Sequence, residues 1–152
     1  MKLTCANAGK VTCLTARYSP DQFSVFSGQS DWLLPCLTGG GIGCVTGIGN
    51  VFPKSVSHLY SLWQQGNTEE ARELQGRVAL AESACKKGLA ATKYGAFVFA
   101  GKAAGVDSEE AFWPRKPYKP AGKAVQESTV AVMKGLAELE ANLEDRIQGS
   151  TA

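Results

Sequence analysis

A chain of 152 residues with 16 basic and 14 acidic side chains has a formal net charge of +2, too balanced to argue for nucleic acid or an anionic membrane surface. With 44% hydrophobic and 20% charged residues it has the material for a core and falls outside the disordered class, and its length suits one domain. No apolar run approaches the roughly 20 residues that cross a bilayer, and Ala6, Asn7 and Gly9 interrupt any secretory-type apolar stretch, so neither a span nor a leader is expected. Five cysteines (Cys5, Cys13, Cys36, Cys44, Cys85) form no C-x-x-C and are accompanied by one histidine, His58. That set makes a poor zinc site, and the expectation is reduced, mostly buried thiols in an intracellular protein, cytoplasmic or mitochondrial, holding no metal.

In chain order, Lys2 to Cys5 reads as a strand stub that starts almost at once. Val11, Leu14 and Thr15 recur at helical spacing between Ala8 and Tyr18, and Ser19-Pro20-Asp21 stops that helix. Phe23 to Phe26 is a compact strand ended by Ser27-Gly28. A short helix is expected around Trp32, Leu33, Leu34 and Leu37, closed by Gly39-Gly40-Gly41. Gly43 to Ile48, rich in small and β-branched residues, is the next strand, and Gly49-Asn50 turns it. Pro53 suits a first helical position, followed by an apolar stripe of Val56, Leu59, Tyr60 and Trp63. Alternation of strand and helix with short connections predicts parallel, adjacent strands near residues 2–5, 23–27 and 43–48 in an α/β arrangement.

The remainder reads as helical. Asn67 and Glu70 form a capping pair ahead of a face of Ala71, Leu74, Val78, Ala81 and Cys85. A second helix is expected over Tyr94 to Ala104, with Phe97 and Val98 in the core. Three prolines in Phe112 to Pro120 demand an extended connector, and a last amphipathic helix carries Val125, Thr129, Val132, Leu136, Leu139 and Leu143 before a fraying GSTA end.

The glycine-rich stretch Thr38 to Asn50 invites a phosphate-binding reading, but it lacks G-x-x-x-x-G-K-[ST] and departs from the G-x-G-x-x-G spacing. Most of its glycines precede or lie within the strand, which fits a glycine-lined turn better than a nucleotide site. His58 has no cysteine or serine motif to partner it, and Lys86-Lys87 reads as a solvated helix face. By its residues alone the chain gives a class and no reaction.

Four segments read together go further: KLTCANAGKV, FSVFSGQSDWLLPCLTGGGIGCVTGIGNVFPKSV, LYSLWQQGNTEEARELQ and FWPRKPYKP. In this order and at these distances they resemble the C-terminal half of the dihydrodipicolinate synthase and N-acetylneuraminate lyase family, in the flavour of its fungal dihydrodipicolinate synthase-like or 4-hydroxy-2-oxoglutarate aldolase-like members. The resemblance implies class I aldolases on a (β/α)8 barrel, which takes about 250 residues before extensions. It implies strands six to eight of such a barrel over residues 1–66 and a helical C-terminal extension over 67–152. Lys2 falls on the family's Schiff-base lysine. Ser27, Gly28 and Gln29 fall on its seventh-strand serine-glycine pair and the residue after it, with Gln29 replacing the usual acid. Val45, Thr46 and Gly47 fall on the wall beside the bound keto acid.

The substrate implied is pyruvate or a related 2-oxo acid, with no cofactor, because the lysine iminium is itself the electron sink. The family's tyrosine relay and carboxylate-binding threonines have no counterpart here, so the chain alone is expected to be inactive. Its open sheet edges are expected to drive self-association or homo-oligomer formation. The competing reading is a non-catalytic fragment or interaction module that retains only part of the fold.

Overall fold

The computed structural model describes residues 1–143, so the closing GSTA sequence lies outside the described part. Three short strands, β1 (Lys2–Leu3), β2 (Phe26–Ser27) and β3 (Gly43–Cys44), form one sheet in the order β1-β2-β3. Both pairings are parallel, aligning Lys2 with Phe26 and Gly43 in one row and Leu3 with Ser27 and Cys44 in the next. The crossovers are helical: α1 (Ala8–Arg17) joins β1 to β2, and α2 (Leu33–Thr38) joins β2 to β3. Asn7 caps α1 by accepting a hydrogen bond from the Lys10 N–H at 2.9 Å.

The regular strands are shorter than the alternation predicted. Main-chain bonds nonetheless extend the pairing at both ends. Phe26 N–H donates to Met1 O and Ile42 N–H to Val25 O on one side, and Gly28 N–H to Leu3 O and Val45 N–H to Ser27 O on the other. The strands end where the backbone is diverted: Ala6 adopts φ +51°, and the segment after Cys44 turns toward the helical layer.

Four more helices follow: α3 (Pro53–Gln64), α4 (Thr68–Glu82), α5 (Leu89–Ala96) and α6 (Lys123–Asn142). Pro53 occupies the first turn of α3 as its fixed φ allows. The expected capping pair at α4 does not form: the Asn67 side chain makes no capping bond, and its carbonyl instead accepts from Ala71 N–H at 3.0 Å. The helix placed at Tyr94 starts earlier, at Leu89, and its continuation Phe97–Gly101 widens into a π-helical turn, with Phe97 buried and Val98 only half-buried. One 3-10 turn, Glu109–Phe112, precedes the proline-rich connector, which has no regular structure.

The main core joins Leu33 of α2, Leu59 of α3, Val78 of α4 and Met133 and Leu136 of α6, together with Phe52 ahead of α3. Complete burial of side chains of this size contributes about 1.5–3 kcal/mol each. This core takes residues from both sides of the Gly66 turn, so α4 and α6 pack directly on the layer beside the sheet. A smaller cluster of Val11, Val25, Trp32 and Cys36, with Leu3 against it, seats the sheet on α1 and α2.

Candidate active site

Parallel strands deliver their carboxyl ends to one side of a sheet, and ligand sites of α/β proteins lie there. Here that side carries Gly28–Gln29 and Val45–Gly47, just beyond the ends of β2 and β3, whereas Lys2 opens β1 in the first paired row. Lys2 is level with Phe26, one residue before Ser27, and the Gly28 N–H is held 2.7 Å from the Leu3 carbonyl.

Alternation along a strand separates the faces. Leu3, Val25 and Ser27 share the face that packs on α1 and α2, so Lys2 and Phe26 share the opposite one. Ser27 is fully buried, its hydroxyl 3.5 Å from the Gly43 carbonyl. Gln29 is half-buried, and Lys2, Val45 and Gly47 are exposed. Gly28 has a steric reason to be glycine: a Cβ would stand 2.4 Å from the Thr4 Cα. An open groove of about 450 Å³ lies between β3 and α3, lined by Phe26, Ile42, Cys44, Val56 and Tyr60, and none of the seven sequence-derived site residues lines it.

Beneath the loops after β2 and β3 sits a residue that sequence reasoning overlooked. Glu82, at the end of α4, is buried, and its carboxylate accepts four hydrogen bonds. Oε2 takes the Ser30 N–H at 2.7 Å, the Ser30 hydroxyl at 2.6 Å and the Asp31 N–H at 2.8 Å. Oε1 takes the Thr46 hydroxyl at 2.5 Å, and the Ser30 and Thr46 hydroxyls are 3.3 Å apart. About two turns earlier on α4, Gln75 accepts from Leu34 N–H at 2.9 Å and donates to the Ser30 carbonyl at 2.8 Å. Outside this network Lys86 donates to Asp31, whose carboxylate raises the lysine above its ordinary range. The signal for Glu82 was present in the sequence: it stands four residues after Val78 and eleven after Ala71, on the buried stripe of α4.

Burial pushes the Cys44 thiol up to about 11, with Glu82 adding in the same direction, and raises Cys36 and Cys85 as well. These thiols are poor nucleophiles at neutral pH. Among the described residues no group of three His, Cys, Asp or Glu side chains is placed to hold a metal ion, and no helix is long and apolar enough to cross a membrane.

The parallel layer and its helical crossovers make this an α/β protein. The chain belongs to the dihydrodipicolinate synthetase family, whose model matches residues 1–136. It is 49% identical over 144 residues to a Coccidioides immitis protein provisionally assigned as a mitochondrial 4-hydroxy-2-oxoglutarate aldolase, covering 94% of this chain and 46% of that one. It is 29% identical to the L-threo-3-deoxy-hexylosonate aldolase of Hypocrea jecorina, covering 90% of this chain and 42% of the relative. A crystal structure of a dihydrodipicolinate synthase family protein from Coccidioides immitis superposes with a TM-score of 0.88 at 48% identity, covering 94% of this chain and 47% of that one. The chain thus spans about half the length of the relatives it matches.

Proposed function

We propose that this chain is the part of a class I aldolase that contains strands six to eight of the barrel, in residues 1–66, and the helical extension, in residues 67–152. Lys2 is the Schiff-base nucleophile. What supports this reading is the family match over residues 1–136 together with a parallel sheet in which Lys2 lies on β1, beside the strands that lead into Gly28–Gln29 and Val45–Gly47. The relatives' names, aldolases of hydroxy-oxo acids, support the substrate class: pyruvate or another 2-oxo acid.

The neutral Lys2 amine adds to the keto carbon, and loss of water gives an iminium. The iminium withdraws the electron pair of the adjacent carbon–carbon bond as it breaks, or stabilises the carbanion that attacks an aldehyde when the reaction runs toward synthesis. Hydrolysis of the iminium returns the lysine and the oxo acid. Gly28 lets the main chain come close to β1, and the backbone of Ser27–Gln29 forms one wall, since the Ser27 side chain faces the helices. Val45 supplies an apolar surface, and Thr46 and Gly47 continue that wall. The donors that bind the substrate carboxylate and the group that moves the proton come from polypeptide beyond these 152 residues. No cofactor takes part. The location proposed is intracellular, mitochondrial or cytoplasmic, which the mitochondrial designation of two relatives supports.

Reductive trapping tests the proposal. The chain is incubated with pyruvate and borohydride alone, and again after fusion to the part of the Coccidioides immitis relative that it does not match, and adducts are mapped by peptide mass. The fused protein is expected to label at Lys2 and to cleave a 4-hydroxy-2-oxo acid, both lost in Lys2→Ala, whereas the chain alone turns nothing over. Labelling of the fused protein at any other lysine, or labelling that survives Lys2→Ala, would remove Lys2 from the mechanism.

A further inference from the structure

We infer that Glu82 is a positioning residue that sets the loops after β2 and β3 in fixed relation to each other. The inference rests on the reading of those loops as walls of the site. An ionised carboxylate offers about four acceptor sites, and charge-assisted hydrogen bonds are roughly twice as strong as neutral ones. Glu82 uses both oxygens, one for each loop: Oε2 holds Ser30 and Asp31, and Oε1 holds Thr46. The donors lie 52, 51 and 36 residues away in the chain, so the side chain couples segments that no local turn could couple. Ser30 follows Gln29 directly, and Thr46 lies between Val45 and Gly47. A rotation of the Glu82 carboxylate therefore moves both walls together.

Burying an acid is costly unless its hydrogen bonds are supplied, and an apolar residue would have filled the same space without that demand. A requirement confined to stability would be met anywhere in the core. Glu140 provides the comparison, because its carboxylate accepts from Lys54 N–H, Ser55 N–H and the Ser55 hydroxyl at the start of α3, away from the strand ends. Glu140 holds a helix terminus, whereas Glu82 holds the two loops flanking the candidate site.

Amide hydrogen exchange on the whole chain tests this without any substrate, so its outcome is separate from that of the trapping experiment. Glu82→Ala is expected to accelerate exchange at Ser30, Asp31, Gly28 and Val45 by about tenfold or more, the scale of losing hydrogen bonds to a charged group, with Ser55 unchanged. Glu82→Gln, which keeps the shape and a neutral acceptor, is expected to accelerate the same amides by about threefold. Equal acceleration at Ser55 would reduce Glu82 to a general stabilising residue. Acceleration confined to Ser30 and Asp31, leaving Gly28 and Val45 as in the parent, would also overturn the inference. Should Glu82→Ala fail to fold, Glu82→Gln decides alone: unchanged exchange at Ser30 and Asp31 defeats the proposal, and the graded local increase sustains it.

Discussion

Gly28 and Thr4 meet main chain to main chain: a Cβ on Gly28 would lie 2.4 Å from the Thr4 Cα and 2.7 Å from the Thr4 nitrogen. Real Cβ contacts do not come so close, and a backbone neighbour cannot swing aside as a flexible side chain can. The contact lies two residues beyond Lys2 and directly after Ser27, so the loop after β2 is seated on the end of β1.

Gly28→Ala is therefore expected to cost about 2–4 kcal/mol, the range of strained or overpacked buried sites, and to weaken the Gly28 N–H bond to Leu3. Urea unfolding measures the cost. Gly122→Ala, where an added Cβ meets nothing within 4 Å, is the matched control and should change stability by less than about 1 kcal/mol. Equal midpoints for the two variants would contradict the close approach.

The order and parallel pairing of the strands were legible because local signals agreed with one another: FSVF and GCVTGI are β-rich, the helix before FSVF stops ahead of Pro20, and the helix between the two stops at Gly39. Strand length was not legible, since only pairing partners decide how far a ladder runs, and the Thr4–Gly28 approach and the Thr46–Glu82 bond both divert the chain. The Asn67–Glu70 motif is compatible with capping, yet the turn around Gly66, with φ +77°, presents the Asn67 carbonyl to the helix instead. Met133, fully buried, escaped a reading that followed Thr129, Val132 and Leu136 along α6. Within the candidate site Lys2 and Gly28 were named from motif resemblance, and the steric need for glycine at 28 shows only in its approach to Thr4. The Glu82 clamp did not, because its partners are set by tertiary packing over 36 to 52 residues.

Thiol chemistry should divide the cysteines by burial. Cys5 and Cys13 are exposed and are expected to alkylate with iodoacetamide at pH 8, while buried Cys36 and half-buried Cys44 and Cys85 react only on unfolding. The Cys44 value also predicts a pH dependence. Its folded-state pKa is raised from 9.0 to about 11, so the folded chain favours the neutral thiol. The resulting stabilisation is present in full below about pH 9 and is lost as the pH climbs through 11. Urea midpoints should fall across that window, and the fall should be shallower in Cys44→Ala. An identical slope in the variant would exclude Cys44 as a contributor.

Glu140 holds the start of α3 from the far end of α6. With Pro53 lacking an N–H, the first donors that α3 presents are those of Lys54 and Ser55, and both reach the Glu140 carboxylate, at 2.8 and 2.7 Å. Ser55 is fully buried, so removing the acceptor leaves its hydroxyl and N–H unsatisfied. Glu140→Ala should destabilise the fold by about 2–3 kcal/mol and Glu140→Gln by about 1 kcal/mol. Unfolding in urea with an unchanged m-value checks both figures, and a loss below about 0.5 kcal/mol in the alanine variant would mean that water replaces the cap.

The last expectation concerns association. In the β1-β2-β3 sheet, β1 and β3 are both edge strands, and each presents main-chain N–H and C=O groups on its outer side. Edges so short offer few hydrogen bonds, but the groove beside β3 adds apolar surface from Phe26, Ile42, Val56 and Tyr60, and Val45 is 49% exposed just past the strand. An extended segment of another chain that paired with β3 would cover the groove in the same step, joining backbone pairing to apolar burial. The isolated chain should therefore sediment as a dimer or larger species at tens of micromolar, on the order of a weak edge contact. Ile42→Lys should shift it toward monomer by placing a charge against the incoming segment. A discrete monomer for the parent chain at that concentration would show that these edges are protected without a partner.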